Sequence, residues 1–114
     1  MPYLKIVTNA DLGAGGSAAL AGKASAVASG LLGKPEQWVM AQVEAGAALV
    51  FGGSDAPAAL VELKSIGLPA ADCARLSQAL CSFLQEEAGI PAERVYIEFA
   101  DLERGMFGWN GGTF

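Results

Sequence analysis

The sequence predicts one α+β domain spanning residues 1–114, made of a twice-repeated β-α-β unit. The two copies are expected to form a four-stranded mixed sheet with two helices on one face. Three observations lead there. The segments Gly33-Lys34-Pro35-Glu36-Gln37-Trp38-Val39 and Gly89-Ile90-Pro91-Ala92-Glu93-Arg94-Val95 share the pattern Gly-x-Pro-x-x-x-Val, an internal repeat half a chain apart. Each copy closes a stretch with helical apolar spacing, and each opens a stretch with strand-like composition.

In chain order, Pro2 leads into a strand at Tyr3-Leu4-Lys5-Ile6-Val7-Thr8. The first helix runs from about Ser17 to Leu32, where Leu20, Ala24, Val27 and Leu31 recur on one face. Gly33 stands where a left-handed closing residue is wanted, and Pro35 stops the helix. A strand follows from Val39 to Val43. Gly52-Gly53-Ser54-Asp55 marks the junction, so the repeats divide at about 1–56 and 57–114. Pro57 precedes a strand from Ala59 to Ile66. The second helix spans about Ala71 to Ala88, with Leu76, Leu80, Phe83 and Leu84 inward, and Gly89 and Pro91 repeat the earlier ending.

In the last strand, Val95, Ile97 and Phe99 face the helices while Tyr96 and Glu98 face away. That outer face mixes aromatic, alanine and charged residues, which suits a subunit interface better than bulk water. The stretch from Gly105 to Phe114 is too aromatic for a loose tail and is expected to dock.

With 53% hydrophobic and only 17% charged residues, the chain has few charges to keep a whole surface wet, which again favours burial between subunits. A formal charge of −5, with the bases scattered, argues against nucleic acid as a partner. No signal-like start and no apolar run of membrane-spanning length is present, so a cytoplasmic protein without a membrane partner is expected; export without a signal peptide stays open. Cys73 and Cys81 lie about 12 Å apart along one helix, beyond disulfide reach. Histidine is absent and the cysteines lack chelate spacing, so neither a metal nor a cofactor is expected.

The same absence directs attention to the amino terminus. Methionine is ordinarily trimmed before a small residue, so the mature chain is expected to begin with Pro2, a secondary amine at the start of a strand. An α-amino group titrates near pH 8, and burial lowers it by disfavouring the charged form. In a chain without histidine, Pro2 is the best candidate for a base working near neutral pH. Taken alone, Met-Pro favours a plainer reading, as an aid to methionine removal and a shield against proteases.

Met1-Pro2 with its strand, Thr8-Asn9, Gly33-Lys34-Pro35, Phe51-Gly52-Gly53-Ser54, Ser65-Ile66-Gly67, Arg94-Val95-Tyr96-Ile97 and Gly108-Trp109-Asn110 with Thr113-Phe114 occur in that order. This ordered set resembles the macrophage migration inhibitory factor family of the tautomerase superfamily, over essentially the whole chain. The resemblance implies the tautomerase fold and a homotrimer with three active sites at subunit boundaries. It implies keto–enol tautomerisation of phenylpyruvate- or dopachrome-type substrates, with Pro2 as catalytic base. By the same resemblance Lys34 binds the substrate carboxylate, Ser65-Ile66 offers a backbone amide to the acid group, and Tyr96 is contributed by a neighbouring subunit. Phe107 and Trp109 match pocket walls, and Phe114 matches a closing aromatic. Each residue has a plainer reading as well: Lys34 as a helix-end charge worth about 0.3–1 kcal/mol, Tyr96 as an interface phenol, and the aromatics as packing.

The sequence departs from the family pattern in places. Glu98 stands where relatives often carry asparagine, which puts substrate preference in question, and Phe107 and Trp38 would narrow the pocket mouth. Ala58-Ala59-Leu60-Val61 replaces a Cys-Ala-Leu-Cys segment credited with thiol exchange, so that activity is not expected. Ala10-Asp11-Leu12 and Glu44-Ala45-Gly46 lack the charges of vertebrate receptor contacts, so cytokine-like signalling of that kind is not supported. A binding or signalling protein with vestigial catalysis is the competing reading.

Overall fold

Alternation of buried and open residues defines the sheet strand by strand. In a computed structural model that describes all residues from Met1 to Phe114, strand β1 (Tyr3–Thr8) buries Leu4, Ile6 and Thr8 and turns Tyr3, Lys5 and Val7 outward. Strand β3 (Ala59–Ile66) buries Ala59, Val61 and Leu63 and turns Leu60, Glu62 and Lys64 outward. Strands β2 (Met40–Glu44) and β4 (Val95–Leu102) flank them, giving the order β2-β1-β3-β4. The outer pairs are parallel and the central β1–β3 pair is antiparallel, so the sheet is mixed, as two β-α-β units joined side by side require.

Helices α1 (Gly16–Leu32) and α2 (Cys73–Ala88) supply the crossovers. Both end in the same device. Gly33 and Gly89 adopt left-handed φ values of 63° and 65°, and the amides of Lys34 and Ile90 reach back to the carbonyls of Ser29 and Leu84. A short 3-10 turn follows each proline, at Glu36–Trp38 and Ala92–Arg94, before the chain enters β2 or β4. The repeated sequence pattern is thus a repeated helix stop and strand entry.

The core lies between the sheet and the helices. Leu4, Ile6, Val61 and Leu63 of the sheet pack beneath Leu20, Ala24 and Ala28 of α1 and Leu76, Leu80, Phe83 and Leu84 of α2. Each fully buried leucine contributes about 1.5–3 kcal/mol over its exposed state. The expected α2 face is buried in full. On α1 the buried line is Leu20, Ala24 and Ala28, with Val27 and Leu31 packed half-buried at its edge. The alanines let the helix lie close to the sheet, so the contact line follows the small residues.

Element boundaries shift modestly from expectation. The 3-10 turn delays β2 to Met40, and Pro69 seeds a 3-10 turn at Ala70–Asp72 that delays α2 to Cys73. Strand β4 extends past Phe99 to Leu102 because β3 offers partners out to Ile66. The aromatic C-terminal stretch docks as a small hairpin, β5 (Gly108–Trp109) with β6 (Gly112–Thr113). Asn110 and Gly111, at φ 52° and 79°, form its tight turn. No helix is long and apolar enough to cross a membrane.

Candidate functional site

The site gathers where β1 begins, β3 and β4 end, and the C-terminal hairpin folds back. Pro2 is less than 2% exposed, and its carbonyl accepts the Met40 amide at 3.0 Å as the β1–β2 pairing starts. It lies at the edge of an open cleft of about 590 Å³ whose walls include Met1, Trp38, Phe107, Trp109 and Phe114. The aromatic wall is self-supporting. Trp38 meets Trp109 edge-on with centroids 4.8 Å apart, Trp109 stacks on Phe114 at 5.8 Å, and Phe114 meets Phe107 edge-on at 5.6 Å. Such pairs add about 0.5–1.5 kcal/mol each beyond area burial. The Phe114 amide donates to the Phe107 carbonyl at 3.1 Å, which ties the chain end to the wall.

A second cleft, of about 530 Å³, adjoins the first. Lys34, Pro35, Ile66, Gly67 and Arg104 line it, and Met1 and Trp38 border both clefts. Lys34 is delivered by the end of α1. Its amide donates to the Ser29 carbonyl, and the Ser29 hydroxyl donates to the Lys34 carbonyl at 2.6 Å. The side chain does not fold back on the helix end. Its ammonium crosses to β3 and donates to Ser65 Oγ at 3.0 Å and to the Ile66 carbonyl oxygen. The turn after Ile66 is held by Asp101, whose Oδ1 accepts the amides of Gly67 and Leu68, each at 3.0 Å.

The terminal amine on Met1 is held below its ordinary value, first by burial and then by the Lys34 charge. An ammonium has three donors, and Lys34 commits two to Ser65 and Ile66, which leaves one for an anion in the cleft.

One chain therefore brings together Pro2, Lys34, Ser65, Ile66, Phe107, Trp109 and Phe114. It does not bring Tyr96 and Glu98 to them. Both project from the outer face of β4, and Tyr96 is 66% exposed and packs on Phe51 with centroids 4.7 Å apart. In register Tyr96 pairs with Leu60, which pairs with Val7, so it lies four residues along the sheet from Tyr3. At about 3.3 Å per residue that is roughly 13 Å.

The comparisons with known proteins bear on the whole chain. The family model for macrophage migration inhibitory factor (MIF) matches residues 1–114. The chain belongs to the MIF family. A macrophage migration inhibitory factor homolog of Brugia malayi is 44% identical over 116 aligned residues, covering all of this chain and 99% of its own length. Among solved structures, the MIF homologue of Prochlorococcus marinus superposes with a TM-score of 0.90 at 34% identity, covering 98% of both chains. The MIF of Trichinella spiralis gives 0.89 at 32%, covering 98% of this chain and 99% of its own. The α+β tautomerase fold is thereby established, and with it membership of a superfamily whose reactions are isomerisations.

Several cleft-lining residues of this MIF-family chain escaped sequence reasoning. Leu102 and Met106 line the apolar cleft, and Arg104 lines the cationic one. Leu102 had a usable signal, since it shares the outward parity of Tyr96, Glu98 and Ala100 once β4 is extended. Arg104 and Met106 fall in a 3-10 turn (Arg104–Met106), where no periodic pattern exists to assign their directions.

Proposed function

We propose that this protein is a keto–enol tautomerase acting on phenylpyruvate- or dopachrome-type compounds, with the amine of Pro2 as the base. The observation that carries the reading is the seating of Pro2: buried, at the edge of an aromatic cleft, with an ammonium in the adjoining cleft. The amine of Met1, one residue ahead, has its charged form disfavoured by burial and by Lys34. Trimming of Met1, which borders both clefts, would join them and free the secondary amine at their junction.

In this mechanism Lys34 pairs with the carboxylate of the keto acid, and the ring lies against Trp109 and Phe114. The neutral Pro2 nitrogen accepts the enol hydroxyl proton and returns a proton to the adjacent carbon, so the carbonyl forms with no atom gained or lost. The reverse direction removes the carbon-bound proton first. Burial of the amine favours its neutral form, and the hydrogen bonds to Ser65 and Ile66 hold the Lys34 ammonium in place for the carboxylate. Three chains assembled on their outer sheet faces would deliver Tyr96 and Glu98 of one subunit to the cleft of the next.

The test is ketonisation of phenylpyruvate enol, followed by absorbance at neutral pH, with removal of Met1 checked by mass spectrometry. Pro2→Gly, or one extra residue ahead of Pro2, is expected to lower kcat/KM by about 10²-fold or more, the scale of a lost general base. A rate unchanged in both variants would remove Pro2 from the mechanism.

A further inference from the structure

The cleft that holds Lys34 carries more positive charge than a single carboxylate needs. Its lining includes two cationic side chains, Lys34 and Arg104, and no carboxylate, in a chain with 12 acidic and 7 basic residues. Neither cation takes part in any of the chain's three ion pairs, which are Lys23–Glu87, Lys64–Glu62 and Arg75–Asp72. Asp101, at the turn that borders the cleft, spends one oxygen on the amides of Gly67 and Leu68. Glu103, next to Arg104, and Glu36, two residues after Lys34, are exposed and line neither cleft. Arg104 is also not on a loose arm. It opens the turn Arg104–Met106, in which the Met106 amide donates to the Glu103 carbonyl and the Phe107 amide to the Arg104 carbonyl. One turn thus sends Phe107 to the aromatic cleft and Arg104 to the cationic one.

We infer that Lys34 and Arg104 form a subsite for two anionic groups, so that the preferred substrate is a keto acid with a second carboxylate close to the reacting carbon. Lys34 takes the carboxylate next to the carbonyl and Arg104 takes the other, where the planar guanidinium can engage both oxygens. The inference rests on the tautomerase reading for its substrate class, while the subsite itself is open to test by binding alone.

Two measurements separate the two ideas. The first compares kcat/KM for ketonisation of oxaloacetate enol, a dianion, and phenylpyruvate enol, a monoanion. Arg104→Ala is expected to reduce the oxaloacetate value at least tenfold more than the phenylpyruvate value, with Arg104→Lys restoring part of the difference. Lys23→Ala, on the helical side where it pairs with Glu87 and lines neither cleft, is expected to leave the ratio as it was. The second follows tryptophan fluorescence during titration with malonate or acetate, since Trp38 borders both clefts. Malonate is expected to bind at least tenfold more tightly than acetate in the parent chain and to lose that margin in Arg104→Ala. Malonate selectivity without turnover of either enol would overturn the enzyme reading and uphold the subsite. Turnover of phenylpyruvate with equal malonate and acetate affinity, or with Arg104→Ala lowering both enols alike, would overturn the subsite.

Discussion

A free amine on Pro2, near the Lys34 charge, has a consequence in the pH profile. The terminal amine on Met1, one residue ahead of Pro2, is held below the ordinary value of about 8, by burial first and by the Lys34 charge second, and a Pro2 amine freed by trimming is expected to meet the same two causes. If the neutral amine is the active form, depressing its pKa extends activity toward lower pH, and the acid limb of kcat/KM falls below pH 8. Lys34→Met removes the second cause and keeps the first. Protonation then becomes easier, so the acid limb is expected to move upward while staying below 8. A pH series of phenylpyruvate turnover in both chains checks it, and a limb that moves downward contradicts the coupling. At this scale the sequence was informative where chemistry singles out a residue. An amine after methionine in a chain without histidine is conspicuous, whereas Arg104 looked like one of seven scattered bases. What distinguishes Arg104 is the direction a short turn gives it, and a turn of three residues leaves no period to read.

At the scale of elements, the long connection between β2 and β3 is fixed by side chains acting in place of backbone ladders. Arg94, at the entry to β4, donates to the carbonyls of Phe51, Ser54, Ala56 and Pro57 at 2.9–3.2 Å, and its guanidinium lies 5.2 Å from the Phe51 ring centroid. Asn9, just after β1, donates to the carbonyls of Leu49, Asp55 and Ala56 and accepts the Ala58 amide. Arg94→Ala is expected to cost about 1.5–3 kcal/mol, the scale of hydrogen bonds to a charged group, and to appear as a lower urea midpoint with unchanged slope. Arg94→Lys should recover only part of it, because an ammonium cannot reproduce the guanidinium's fork. A midpoint within error of the parent for Arg94→Ala would show that water replaces the four bonds without cost. The strands and helices themselves were readable because apolar periods of two and 3.6 survive in single sequences. The staple was not, because Asn9 and Arg94 reach the same loop from opposite halves of the chain.

The whole molecule leaves one side of its sheet without a partner. Both helices pack on the opposite side, and the outer face presents Tyr3, Lys5, Met40, Leu60, Glu62, Tyr96 and Glu98. Only 19 of 114 residues are buried in a chain that is 53% hydrophobic, and Met40, Leu60 and Tyr96 are 67%, 40% and 66% exposed. Apolar groups on a face that also bears Lys5, Glu62 and Glu98 fit contact with copies of the same chain, where charges can be matched across subunits. The separation of Tyr96 from Pro2 adds a functional reason, since a single chain cannot join them. Sedimentation equilibrium is therefore expected to give about three times the 11.6 kDa of one chain. Leu60→Asp puts a charge beside Tyr96 on the outer face without touching the core or either cleft. It should lower the mass toward one chain and reduce phenylpyruvate turnover together, whereas Lys23→Ala, on the helical side, should change neither. A fully active single-chain species would remove Tyr96 from the site, and with it the reason for the sheet's outer face to be apolar.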